Sequence, residues 1–170
     1  MLFSVAEQLV SWISHSSFRV WKELAVGASR SSVRNVGELI AAVPALLGFY
    51  PENSVVLVAC APPPEEVSRH QLQVDAVMRA DLGSCLDRNS IGIPGTVRVC
   101  LSNNVSHVAV LVVDEALRAA TSELGKACRE FLARLHIALS ETDIELVGAW
   151  FTPVIHAREY WWSFWTLSTV

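Results

Sequence analysis

The sequence predicts an α/β fold: a single domain with a mixed sheet of about five strands covered by helices. Three observations carry this reading. The runs VVLVAC (Val55–Cys60) and HVAVLVV (His107–Val113) are continuous, β-branched and apolar, the pattern of strands buried on both faces. Gln71–Asp81 alternates instead, with Leu72, Val74, Ala76, Met78 and Ala80 set for one face and Gln71, Gln73, Asp75, Arg79 and Asp81 for the other, which describes a half-buried strand. Between His107–Val113 and the apolar segment Ile144–Phe151, apolar residues recur at helical spacing, so a strand–helix–strand crossover follows.

Taken in order, Leu2, Val5, Leu9 and Trp12 or Ile13 give the first 14 residues the stripe of a short amphipathic helix. That helix has no Lys or Arg before Arg19, so it lacks the basic face that aids binding to an anionic membrane surface. GASRSS (Gly27–Ser32) has linker composition, which divides the chain into an N-terminal helical appendage and linker, residues 1–32, and an α/β domain, residues 33–170. Asn35 followed by Glu38 fits a helix start, and Leu39, Ile40, Val43, Leu46 and Leu47 form its stripe. Gly48 suits the left-handed cap, while Pro44 is expected to bend the helix or end it early.

The Pro51–Ser54 turn leads into Val55–Cys60, which Pro62–Pro64 end, and a loop of about ten residues brings Gln71–Asp81 back antiparallel. Gly83–Gly95 reads as loop, and Thr96–Asn104 as a helix, although VRVC also fits a strand. Asp114 is expected to cap a long helix to about Leu139, with Leu117, Leu124, Cys128, Phe131 and Leu135 inward. Ile144–Phe151 and Tyr160–Thr166 are then strands of a hairpin, joined by a Pro153–Glu159 turn.

Composition narrows the function classes. Hydrophobic residues make up 52% and charged ones 18% of the 170 residues, and the formal net charge is -4 with no basic run. A nucleic-acid binder would need the basic footprint that is missing here. No apolar stretch has the length of a membrane-spanning helix, and Glu7 and Gln8 interrupt the N-terminus where a secretory leader needs an apolar core. The four cysteines show no zinc-type or disulfide-framework spacing, so reduced thiols and a cytoplasmic location are expected.

With the elements placed, GELIAAVPALLGFYPENSVVLVA (Gly37–Ala59) resembles the opening signature of an uncharacterised, largely actinobacterial family, domain of unknown function 4192. Val43, Pro44, Leu46, Leu47, Gly48, Phe49, Pro51, Ser54, Val55 and Val56 fall on that pattern. MRADL (Met78–Leu82) and WWSF (Trp161–Phe164) are similar to two later strands of the family. The resemblance implies the α/β fold and no established activity. It also implies a domain that continues past the tryptophan strand, so a truncated member is expected.

Candidate chemistry is sparse. Arg79 and Asp81, with Asp75, place charges on one strand face, where an Arg can hold a carboxylate or phosphate and an Asp can orient it; a solvated strand face explains them as well. Asp114–Glu115 lies at the carboxyl end of a buried strand, where α/β sheets bind ligands, yet acids at a helix start also act as caps. The five histidines have no metal-ligand spacing, no nucleotide loop or nucleophile elbow is present, and neither a metal nor a cofactor is expected. REYWWSFW (Arg158–Trp165) puts aromatic surface on both sides of a strand, so Trp161, Trp162 and Trp165 are the candidate interface residues.

Two functions remain: a non-catalytic module that associates with itself or another protein through the aromatic strand, or a small-molecule-binding domain or hydrolase-like enzyme using Arg79 and Asp81. Whether the chain is an enzyme stays open.

Overall fold

A computed structural model describes residues 21–24, 31–33, 35–61, 72–89, 92–117, 122–157 and 159–164. These form one mixed sheet with helices on both faces. The strands are β1 (Trp21–Leu24), β2 (Ser31–Val33), β3 (Ser54–Ala61), β4 (Leu72–Asp81), β5 (His107–Val113), β6 (Glu145–Thr152) and β7 (Trp162–Ser163). Their spatial order is β1-β4-β3-β5-β6-β7, with β2 also on β4. Only β5 and β6 are parallel neighbours; every other pairing is antiparallel. All five strands expected from the sequence are present. Trp21–Leu24 and Ser31–Val33 add two short ones along the outer edge of β4.

β3 and β5 sit at the centre because nearly every residue in them is apolar on both faces. One face carries Val56, Val58 and Cys60 of β3 and Ala109, Leu111 and Val113 of β5, and is covered by α1 (Val36–Leu47) through Leu39, Ile40, Val43 and Leu47. The other carries Val55, Leu57, Val108, Val110 and Val112 and is covered by α2 (Leu82–Leu86), α3 (Gly92–Ser102) and α4 (Glu123–Ser140). Phe131 of α4 and Phe151 of β6 are the largest fully buried side chains of that second layer.

α1 begins as expected: the Asn35 side chain accepts the Glu38 amide at 2.9 Å. It runs through Pro44 to Leu47 without stopping, and Gly48, at φ 78°, ends it by donating its amide to the Pro44 carbonyl at 2.8 Å. Gly48 thus ends the helix as expected, and Pro44 does not end it early.

Three local readings are corrected. Gly83–Gly95 is largely helical, in α2 and α3. Pro94 is tolerated because it lies in the first turn of α3, where its missing N–H has no helical partner. Gly92, Thr96 and Cys100 form the buried stripe of α3, so Gly92, which looks like a loop signal, lies on its inward face.

The long helix starts at Glu123, capped by the Ser122 side chain at 3.0 Å from the Gly125 amide. Asp114 closes only a short turn, its carboxylate accepting the Ala116 amide at 2.8 Å.

The strict alternation of Gln71–Asp81 is broken as well. Ala59 pairs with Ala76 but Cys60 with Val74, so Asp75 is an extra residue bulged out of β4. Beyond the bulge the faces exchange: Val74 and Val77 pack under α1, while Met78 and Ala80 pack in the other layer.

Because Gly48 holds a left-handed conformation, Gly48→Ala should lower stability by about 1–2 kcal/mol, and Gly48→Asn by less. Urea unfolding of the two variants beside the parent measures this.

Candidate functional site

β4, β5 and β6 run the same way, so their carboxyl ends meet at one end of the sheet. Asp81, Asp114 and Thr152 lie there, and Ser54, which opens β3, pairs with both Asp81 and Val113. This is the end at which open α/β sheets usually bind ligands.

Arg79 and Asp81, the residues singled out from the sequence, are both brought to this end and both already bonded. Arg79 Nε donates to Ser54 Oγ at 2.8 Å, and its Nη2 donates to the Glu52 carbonyl at 3.3 Å. The Ser54 hydroxyl donates to that same carbonyl. The guanidinium is thereby tied to the Pro51–Ser54 turn, in which Asn53 takes φ 45° and its carbonyl accepts the Leu82 amide at 2.8 Å. Asp81 is exposed and caps α2, its carboxylate accepting the Ser84 amide at 2.9 Å and the Ser84 hydroxyl at 3.2 Å. The bulge removes Asp75 from their alternation.

Sequence reasoning passed over Ser54. Its signal was a lone hydroxyl at the head of an apolar run: a fully buried hydroxyl must be hydrogen-bonded, and Arg79 supplies the partner.

The aromatic strand occupies the far edge. Trp162 pairs with Phe151 and stacks on it at 5.9 Å and 17°, and Tyr160 stacks on Trp162 at 5.5 Å and 20°. The buried Thr152 hydroxyl lies 2.8 Å from the Val154 carbonyl and 3.1 Å from that of Tyr160, which holds the returning loop against the end of β6. Tyr160 and Trp161 remain 50% and 42% exposed. Trp165 lies outside the described residues. Among the described residues, Trp162 Nε1 is the only buried side-chain nitrogen or oxygen without a hydrogen-bond partner.

The face of the sheet under α1 is also incompletely covered at this edge. A helix with its side chains is about 10 Å across, roughly two strand spacings, so the single helix α1 does not cover every strand. Val147 and Trp150 of β6 are consequently only partly buried at the margin of the α1 layer. Gly148 lets the Trp150 indole lie along the strand, since a Cβ there would come within 2.2 Å of the ring.

The four cysteines are free and buried. Burial pushes the thiols of Cys60, Cys85 and Cys128 up to about 12 and that of Cys100 to about 11, from an ordinary 9.0. Nearby carboxylates add to the effect, Asp75 at Cys60, Asp81 at Cys85 and Asp114 at Cys128. All four are therefore protonated at neutral pH and suit packing, not nucleophilic attack. Among the described residues no three His, Cys, Asp or Glu side chains are grouped to hold a metal, and no helix is long and apolar enough to cross a membrane.

One mixed sheet with helices on both faces makes this an α/β domain. Residues 37–169 match the family described as Domain of unknown function (DUF4192), and the chain belongs to that family. No curated protein and no solved structure gives a significant match.

Two outcomes follow. Arg79→Ala should cost about 1–3 kcal/mol by leaving the buried Ser54 hydroxyl and the Glu52 carbonyl short of a donor, read by urea unfolding, and Arg79→Lys should recover only part of it.

The raised thiol values favour the protonated folded state. Their contribution is complete below pH 9, where unfolded thiols are also protonated, and is lost as pH rises from about 9 to about 12 at about 1.4 kcal/mol per thiol per pH unit. Unfolding at pH 8 and pH 10.5 should show the drop, and Cys128→Ala should make it shallower.

Proposed function

We propose that the chain is a non-catalytic protein-association domain whose contact surface is the aromatic β6–β7 edge. One observation carries this: Tyr160 and Trp161 stand half-exposed immediately before an edge strand of only two residues. Aromatic side chains concentrate binding energy when a partner excludes water from them. The Trp162 indole N–H, without a hydrogen-bond partner among the described residues, supports the reading, because a buried donor without an acceptor costs about 1–3 kcal/mol that an added acceptor or an ordered water would recover.

The net charge of -4 argues against nucleic acid as the partner. The four unpaired thiols suit a reducing, cytoplasmic setting, and an actinobacterial origin belongs to the same reading. We keep the division near residue 33, with β1 and β2 as the places where the N-terminal part attaches to β4.

The small-molecule reading retains one supporting observation, the convergence of three strand ends beside Arg79, Asp81 and Asp114. It is weakened by the bonds these residues already make to the backbone. A ligand there would have to compete with the turn for the guanidinium.

Trp161→Ala should weaken association at least tenfold while leaving helix content unchanged, as a central aromatic contact does. Sedimentation at high micromolar concentration, with pull-down by parent and variant in parallel, measures it. A parent that stays monomeric and captures nothing, or a variant that behaves like the parent, contradicts the proposal.

A further inference from the structure

We infer that the partner this edge accepts is basic: a Lys- or Arg-bearing segment of another protein that lays its cations over Tyr160 and Trp161. The inference rests on the association reading above and adds the chemistry of the partner.

The end of β5 is laced to the aromatic strand. The Asp114 amide donates to the Thr152 carbonyl at 3.2 Å, and the Thr152 hydroxyl bonds the Tyr160 carbonyl at 3.1 Å. Asp114 and Glu115 therefore lie about two strand spacings, roughly 10 Å, from the start of β7, close to a Debye length in physiological salt. Glu159 immediately precedes Tyr160 and is exposed, as is Glu115. None of Asp114, Glu115 and Glu159 takes part in an ion pair among the described residues. His156, which precedes this segment, is exposed with Nδ1 3.2 Å from the Ala157 carbonyl, and Arg158 lies outside the described residues.

Aromatic faces attract cations, most strongly when indole and phenol rings are combined with nearby carboxylates. An acidic partner would meet three carboxylates, and a neutral apolar one would strip water from them without pairing them. A second copy in a twofold arrangement across this edge would set the same carboxylates against themselves. Only a basic segment satisfies the rings and the acids together.

The test titrates the full chain against three dye-labelled peptides of equal length, lysine-rich, glutamate-rich and uncharged, read by fluorescence anisotropy at low and raised salt. The lysine-rich peptide should bind, weaken as salt rises, and lose about fivefold or more in affinity in both the Glu115→Gln, Glu159→Gln double variant and Trp161→Ala. The double variant changes only exposed groups, and circular dichroism checks that it folds. The inference is overturned if the lysine-rich peptide fails to bind, if the acidic or uncharged peptide binds as well, or if the Gln substitutions change nothing. If Trp161-dependent association persists by sedimentation or pull-down under any of those results, only the basic partner is lost. If that association is absent too, the association reading falls with it.

Discussion

β3 and β5 lie side by side with both faces buried, and most of the architecture follows from that constraint. Neither strand can stand at an edge or face water, so strands must flank the pair and helices must cover it on both sides. β4 and β6 supply the flanks, α1 one cover, and α2, α3 and α4 the other. What remains at the rims is short: β1 and β2 on one side, and the two residues of β7 on the other.

The Pro51–Ser54 turn sets how the chain enters this centre. Gly48 stops α1, Asn53 turns the backbone with a positive φ, and Ser54 begins β3 already bonded to Arg79 from the neighbouring strand. The Leu82 amide then joins the same turn from the start of α2. Four elements are thus fastened at one point by backbone carbonyls, one hydroxyl and one guanidinium. Arg79 and Asp81, the binding candidates when read along the chain, make structural bonds here, Arg79 to the turn and Asp81 to the start of α2.

The fold was legible where one physical signal dominated. The β-branched runs at Val55–Cys60 and His107–Val113 and the Asn35 cap lie where expected, while the strand expected over Tyr160–Thr166 is only Trp162–Ser163 among the described residues. Legibility failed where one residue type served two purposes. Gly92, Pro94 and Gly95 carry loop propensity but lie in α3, where Gly92 shares the buried stripe with Thr96 and Cys100 and a first-turn proline costs no hydrogen bond. Asp114 and Ser122 are both good caps, and sequence alone does not say which one begins α4. The bulge at Asp75 leaves no periodic signature, since exchanging the faces of β4 only moves one apolar set for another. For the site, the aromatic edge was visible in composition, whereas the carboxylates beside it come from another strand and required the β5–β6 register.

The functional reading depends on the contrast between a locked centre and an edge strand that, among the described residues, is held on one side only. Native-state hydrogen exchange of the dilute chain tests that contrast directly. The account predicts that amides of β3 and β5 exchange only through global unfolding, while those of Trp162 and Ser163 exchange through local opening at much lower free energy. Protection of the β7 amides equal to that of β5 in the isolated chain would contradict it.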